Sequence, residues 1–566
     1  MNRFFTSACC GLVLAVSAAG TLPSAALADE TTTKPAAPRI VNIVNFIRLL
    51  EPRSEQITED VLFETVVKQA ELMQQLNLPG TFLLQYDALT DSRYQEFLKS
   101  LPPEQFEIGA WWELPQPLVE KAGLTWRGRY PWDWHANVGF VSGYTPAERE
   151  RLADAYMADF NKIFGRYPKS VASWFIDAHT LQYLHDKYGI VASANCKDQV
   201  GTDGYTLWGG YWNQAYYPSR VNAYMPAQTA DAQIPVPVFR MLGSDPLRQY
   251  DTGVGSNLQG VTSLEPVYGD SGGDPEWVEW FFHNLVEGQC LAFNYTQAGQ
   301  ENSFTWAAMR RGLEFQFPLI ARLRDNGQLR VETLAESGAW FRREFPVTPA
   351  TAMTFQSPLK GDNRQTVWFN SRFYRTNLIW ENGTMRVRDI HLFDQTVESP
   401  ILKQSIDQPA VEFYTLPLVD GYLWSSRDTL AGLQLLVDED GQTRQVTGGD
   451  PLVTRGAAGQ LDIAWPTTDP PGQFLISLTE DEMQIAFRGA GDPLWRLKLV
   501  TAMPPKFTAF DVSESAITGN FRGTKFRVDA QQGRFETVDR GFRILPDKGA
   551  IALKFDQQTK SRAAGK

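Results

Sequence analysis

The stretch from Thr145 to Ala194, TPAERERLADAYMADFNKIFGRYPKSVASWFIDAHTLQYLHDKYGIVASA, decides the fold. It opens on a helix start. Thr145 is the N-cap, Pro146 takes the first helical position, and Glu148 is placed to reach back as in a capping box. Leu152, Tyr156, Phe160 and Ile163 recur at spacings of three and four, which makes one apolar helix face. Gly165 stops that helix. Val171 to Ile176 then reads as a buried strand, Leu181 to Tyr188 as a short helix closed by Gly189, and Ile190 to Ala194 as the next strand. Helix and strand in strict alternation is the pattern of an α/β fold.

The same alternation extends both ways. Arg39 to Ile47 reads as a strand. Leu62, Val66, Ala70 and Met73 mark a helix face that ends at Pro79-Gly80, and Thr81 to Tyr86 and Phe106 to Trp112 read as strands. Further on, Asp274-Pro275 opens a helix that Gly288 closes. Cys290 to Tyr295 reads as a strand, Ser303 starts a long helix, and a last strand falls near Leu329 to Leu334. Residues 39–345 are thus expected to form a distorted (β/α) barrel of about seven or eight parallel strands. A doubly wound open sheet is the alternative, but no Gly-rich dinucleotide turn and no P-loop follows any strand.

Pro346 to Pro349 reads as a boundary, because the apolar period beyond it changes from helical to alternating. Glu381-Asn382-Gly383 lies between two alternating runs and signals a tight hairpin, and Asp440-Gly441 signals another. Residues 350–556 are expected to be an all-β, sandwich-like domain, and residues 557–566 a frayed tail. The length of 566 residues accommodates such a two-domain chain. At the other end, Arg3, the apolar run Cys10 to Ala19 and Ala26-Leu27-Ala28 form a signal-peptide pattern. Residues 1–28 are expected to be cleaved after Ala28, with residues 29–38 as a spacer and a periplasmic or secreted mature chain. The apolar run is too short to span a bilayer, and no later run reaches that length, so no integral membrane segment is expected. Cys196 and Cys290 are left as a disulfide or as two buried thiols.

Net charge is −12, with 53 Lys and Arg spread without blocks, which argues against a nucleic-acid partner. The composition stands out in its aromatics. Of 17 Trp, eight fall from Trp111 to Trp212. Most of these lie in or next to expected loops, and Arg129 to His135 is too polar and turn-rich for a core strand. Aromatic faces beside amides and acids can stack on a sugar ring and bind its hydroxyls, which points to an oligo- or polysaccharide substrate. The substrate-binding residues expected on this reading are Trp111, Trp112, Trp132, Trp134, His135, His179, Asp198, Trp208 and Trp212. Trp174 reads as core.

In a parallel barrel the chemistry sits at the C-terminal strand ends. Asp87, Glu113, Asp177, Asp198, Glu265 and Glu301 all follow strands or weaker strand candidates. Glu113 and Asp177 directly end apolar strands that carry a Trp, and an apolar wall beside a carboxyl suits it to acid catalysis. They are the expected catalytic pair. The five histidines form no metal-binding spacing, so neither a metal nor a cofactor is expected. No G-x-S-x-G elbow occurs.

Several segments of residues 39–200 resemble the superfamily of polysaccharide deacetylases and the glycoside hydrolases of families 57 and 38. They are Gly80 to Leu84, Glu107-Ile108-Gly109, Gly143-Tyr144-Thr145 through Phe164 to Pro168, and Ser173 through Leu184 to Ile190. The resemblance implies a distorted barrel, often with a C-terminal β-sandwich. Metal-dependent deacetylases of that superfamily carry paired aspartates after the first strand and two histidines after the third. Here those stretches read Val41 to Arg48 and Trp111 to Pro117, with neither set. The expectation is therefore a metal-independent glycoside hydrolase. An inactive polysaccharide-binding barrel and an atypical deacetylase are the alternatives.

Overall fold

Strand β1, Arg39–Ile47, is buried from its second residue on, as in a parallel sheet covered on both faces. In the computed structural model, which describes residues 37–50, 54–439, 441–502, 504–505 and 507–556, it belongs to the first sheet. The parallel strands beside it are β2 (Gly80–Leu84), β3 (Phe106–Trp111), β4 (Ser170–Ala172), β5 (Ala192–Asn195), β6 (Val238–Arg240) and β7 (Asn294–Ala298), and a two-residue strand, Ala215–Tyr216, pairs antiparallel with the outer edge of β6. They stand in the order β7-β1-β2-β3-β4-β5-β6, with every neighbouring pair parallel. A short β8, Arg330–Glu332, pairs with the first half of β1. Among the described residues no ladder joins β6 to β7. Side chains close that gap: Phe239 packs on Tyr295 with ring centroids 5.0 Å apart, and Gln214 Nε2 donates to Asn294 Oδ1 at 2.9 Å. The result is a nearly closed, distorted (β/α) barrel. The expected signal peptide, most of the spacer and the expected tail lie outside the described residues.

The helix over Glu59–Gln75 buries Leu62, Val66, Ala70 and Met73, the expected face. The Thr145–Glu148 capping box forms, and Gly165 ends its helix at φ 69°. Three elements differ from the sequence reading. The strand expected over Val171–Ile176 stops at Ala172, where Ser173 Oγ donates to Trp112 O at 2.7 Å and the chain bends to place Asp177 as the next N-cap. The strand expected over Cys290–Tyr295 is displaced to Asn294–Ala298, because the ladder with β1 starts at Asn294. Phe293 is buried against Trp340 instead. A helix over Leu334–Glu344 was not anticipated, although Thr333 and Glu336 form a capping box there.

Beyond it, β9 (Thr351–Phe355), β10 (Gln365–Asn370), β11 (Tyr374–Glu381) and β12 (Thr384–Leu392) form an antiparallel meander. Asn382 and Gly383, at φ 53° and 71°, make the turn between the last two, as a two-residue hairpin of the right twist requires. Glu439 and Gln442 pair across the second expected hairpin, where Asp440 itself lies outside the described residues. The meander continues into a 19-stranded antiparallel system ending at Ala550–Lys554, and no helix follows Glu344 among the described residues. Later strands such as Leu461–Asp469 alternate buried and exposed positions, with one face in water. The first meander is buried almost throughout, because the barrel covers its outer face.

That cover is extensive. Val411–Tyr414 pairs in parallel with Tyr205–Trp208 of the long loop after β5, Trp212 stacks on Trp368, and Arg375 reaches Asp198. From Ala37 onward the chain is one compact unit. The Pro346–Pro349 connection is itself tied down. Thr348 Oγ1 accepts the Tyr217 N–H, and the Pro346 and Pro349 carbonyls accept Gln233 Nε2 and the Tyr211 hydroxyl, all at 2.7–2.9 Å. Limited proteolysis of the native protein should therefore spare residues 346–350. An early cut there, read by mass spectrometry, would show that these contacts do not hold the connection.

Candidate active site

A cavity of about 220 Å³ lies at the C-terminal ends of the barrel strands. Each wall follows from a strand end. Arg48 follows β1, Trp174 follows β4, Gln199 to Tyr205 follow β5, Leu242 follows β6 and Glu301 follows β7. Trp132, Trp134, Tyr268 and Phe304 add aromatic surface, and Asp203, Glu265 and Glu301 are the carboxylates on the lining. Gly299 makes the turn that brings Glu301 into place. Its φ is +97°, and a Cβ there would lie 2.3 Å from Val44 O, so no other residue fits without displacing β1.

The centre of the charged floor is Arg48. Its Nη1 donates to both oxygens of Glu113 at 3.3 Å, its Nη2 donates to Glu301, and its guanidinium lies 4.8 Å from the Trp132 ring. Gln85 Nε2 adds a 3.1 Å hydrogen bond to Glu113. Glu265 is held by neutral donors, Ser263 Oγ at 2.7 Å and Gln300 Nε2 at 3.0 Å. Gln300 in turn receives Gln69 Nε2 on its carbonyl and donates its own N–H to Asn45. Strand β1 and the first helix thereby position the acid. Burial lifts the Tyr205 phenol well above its ordinary range, and that of Tyr268 as well, so both face the cavity as neutral hydroxyls.

The sequence-derived residues divide between this cavity and the core. Trp132 and Trp134 line the cavity, the latter 37% exposed at its rim. His135 stacks on Trp134 with centroids 5.4 Å apart and contacts Asp133 Oδ1 through Nδ1 at 2.5 Å. Burial acts to raise the Asp133 carboxyl, but Arg129 and His135 outweigh it and hold it well below the usual range. Trp174, read as core, lines the cavity. Trp111, Trp112, Trp208 and Trp212 do not, since all four are fully buried. Trp111 stacks on Phe46 at 3.9 Å, and Trp208 Nε1 donates to Asp420 at 2.9 Å. His179, on the helix over Ala178–Tyr188, pairs with Glu150 of the helix over Pro146–Phe164.

Asp198 is locked between Arg240 at 2.7 Å and Arg375 at 2.5 Å. Burial would raise its carboxyl, and the two guanidinium groups more than offset this. Glu113 is fully buried behind the lining and accepts from Arg48, which faces the cavity. Asp177 is not brought to the cavity. It caps the helix over Ala178–Tyr188 and pairs with the fully buried Arg149 at 2.9 Å, and its remaining surface faces a separate small pocket with Asn195 and Tyr224. The strand-end rule therefore points to the right end of the barrel, but of the acids it singled out, the ones on the cavity wall are Glu265 and Glu301, beside Asp203. Their strands were the weak candidates because a long loop separates β6 from Glu265 and a glycine turn separates β7 from Glu301. Arg48 directly follows β1 and could have been found by the same rule applied to bases. Cys196 and Cys290 are both free and buried, and burial pushes the Cys196 thiol up to about 11.

The profile of a domain of unknown function, DUF3863, matches residues 130–312, a segment that holds every lining residue except Arg48. No curated protein matches the chain. A candidate glycoside hydrolase/deacetylase from Parabacteroides distasonis shares its fold at 16% identity and a TM-score of 0.50, over 68% of this chain and 92% of that one. Two further similarities have lower TM-scores. One is to a candidate polysaccharide deacetylase from Mycobacterium smegmatis, at 13% identity and 0.34, over 58% of this chain and 96% of that one. The other is to a 4-alpha-glucanotransferase from Thermococcus litoralis, at 9% and 0.32, over 92% of this chain and 98% of that one. The chain thus shares the fold of the Parabacteroides distasonis protein. No helix among the described residues is long and apolar enough to cross a membrane.

Trp134 offers the most exposed ring on the cavity, and Arg129 lies 4.8 Å from its face. On the reading of this cavity as a glycan site, proposed below, Trp134→Ala should weaken glycan binding by about 0.5–1.5 kcal/mol with little change in melting temperature. Unchanged affinity by calorimetry would remove Trp134 from the binding surface.

Proposed function

We propose that the protein is a carbohydrate-active enzyme of the periplasm or the extracellular space, and specifically a glycoside hydrolase acting through Glu265 and Glu301. The observation that carries this reading is the convergence of carboxylates and aromatic rings on one cavity at the C-terminal barrel face. Glycosidic cleavage needs one carboxylic acid to protonate the leaving oxygen and one carboxylate to attack the ring or direct water to it. Glu265, oriented by Ser263 and Gln300, is assigned the role of proton donor. Glu301, beside Arg48, is suited to remain charged and to stabilise the cationic transition state. Glu113 positions Arg48. Trp132, Trp134 and Trp174 supply stacking faces, and the neutral Tyr205 and Tyr268 hydroxyls supply hydrogen bonds to sugar hydroxyls. The similarity in fold to a glycoside hydrolase/deacetylase supports the substrate class, and the signal-peptide pattern supports the location.

The test is a screen of the purified mature protein against a glycan library, reading both reducing-end release and acetate release. New reducing ends, lost in Glu301→Gln, support the proposal. Acetate release without chain cleavage would replace it with deacetylation. Tight binding with neither product would replace it with a binding module.

A further inference from the structure

The strongest unexplained chemistry lies away from the cavity, where β12 meets the barrel. Asp389 and His391 of β12 and Asp420, just past the strand over Leu416–Val419, each present one ligand atom, all within 4.8 Å of one another. All three are at most 1% exposed. A cluster of acids alone would say little, but His391 adds an independent constraint. Thr415 Oγ1 donates its single hydrogen to Gly209 O at 2.7 Å. In its 3.0 Å contact with His391 Nδ1 it must therefore accept. Neutral His391 is thus protonated on Nδ1, and its Nε2 is a bare lone pair. That atom has no hydrogen-bond partner, and it faces Asp420 Oδ2 at 3.7 Å.

The bare His391 Nε2 lone pair is left unsatisfied in a closed interior, directly opposite a carboxylate oxygen, and a cation between them would satisfy it. The separation is too long for a direct hydrogen bond. It is close to the ~3.3 Å between two ligands of one tetrahedral zinc, given metal–ligand bonds of about 2.0–2.2 Å. The surroundings have the form of a metal site as well. The Nδ1–H of the imidazole is fixed by an outer acceptor, which sets ring orientation and tautomer. The carboxylates are oriented from behind. Asp420 Oδ1 accepts the Tyr422 and Leu423 N–H groups, and its Oδ2 accepts Trp208 Nε1. Asp389 Oδ1 accepts Gly421 N–H, and its Oδ2 accepts Arg375 and Tyr250. Asp389 is already paired with Arg375, so Asp420 and the His391 imidazole carry most of the coordination, and N/O donors of this type suit Zn²⁺ or Mn²⁺.

We propose that Asp389, His391 and Asp420 hold one divalent first-row transition-metal ion, which fastens β12 and the loop after Val419 against the barrel segment at Trp208 and Gly209. The role is structural and is independent of the reading of the cavity as a glycosidase site.

The test starts with the full mature protein purified without chelator. Elemental analysis should find about one equivalent of zinc or manganese per chain. The protein is then unfolded with chelator and refolded with Zn²⁺, with Mn²⁺ or with neither. Refolding with the cognate ion should restore a melting temperature that the metal-free protein does not reach, because an ion bound only by the native state stabilises it. His391→Ala and Asp420→Asn should each lose the ion while the glycan-cleaving cavity keeps its composition. Absence of metal from the wild type, together with identical melting temperatures after all three refoldings, would overturn the proposal. So would a full equivalent retained by both variants. If the variants fail to fold, the wild-type metal content and refolding series decide the matter alone. Glycan cleavage enters neither readout, so failure of this proposal and failure of the glycosidase reading are distinguishable.

Discussion

Glu301→Gln should lower turnover by roughly 10²–10⁴-fold, and by more if Glu301 is the nucleophile, while glycan affinity stays close to that of the wild type. The amide keeps the shape of the side chain and can still accept from Arg48, but it has no charge to offer the transition state. Glu265→Gln should show a loss of the same order, because the amide cannot deliver a proton. Asp177→Asn serves as the contrast. Its carboxylate neutralises Arg149, and both side chains are fully buried. Breaking a buried pair by removing one charge costs about 3–5 kcal/mol. That variant should lose stability, and what folds should retain its specific activity. The measurements are kcat on the glycan identified in the screen and the midpoint of chemical denaturation. Near-wild-type turnover in both glutamine variants would move the catalytic pair elsewhere on the cavity wall, with Asp203 next.

Trp212→Ala should destabilise the whole chain by about 3–5 kcal/mol and leave the cavity's affinity for glycans unchanged. Trp212 lies parallel to Trp368 with ring centroids 3.8 Å apart and an interplanar angle of 3°, and both rings are fully buried. One ring comes from the long loop after β5 and the other from β10, so the pair joins the barrel to the meander. Truncation leaves a cavity at that joint, where the surrounding strands cannot collapse to fill it. The unfolding transition should remain single, because the barrel and the meander share this core. Two separate calorimetric transitions in the variant would show that the halves are held together elsewhere. A loss of glycan affinity without loss of stability would return Trp212 to the binding surface.

Much of the architecture was legible in local chemistry. The Thr145–Glu148 capping box, the apolar face at Leu62, Val66, Ala70 and Met73, and the Asn382-Gly383 turn are each specified by residues within a few positions of one another, and each forms as expected. Interactions of that range act whatever the distant chain does, so a parallel barrel followed by an antiparallel β region could be read without tertiary information. Element ends were less legible. The strands at Val171 and Cys290 moved or shortened because the partner strand, not local propensity, sets where a ladder begins and stops.

The site lay at the other extreme. Trp132 and Trp111 look alike in the sequence, yet one lines the cavity and the other is stacked in the core on Phe46. An aromatic ring is equally good at packing and at binding, and only its neighbours in space decide which it does. Asp177 and Glu301 both follow strands, but Arg149 of the preceding helix claims the first for the core, while the turn at Gly299 delivers the second to the cavity. The grouping of Asp389, His391 and Asp420 follows no metal-binding spacing and exists only because two strands pair. The sequence alone determined the order and kind of the elements, because those follow from nearest neighbours along the chain. Which acids and rings face the cavity was left to the tertiary structure, because burial and charge pairing depend on residues that lie on other elements of the fold.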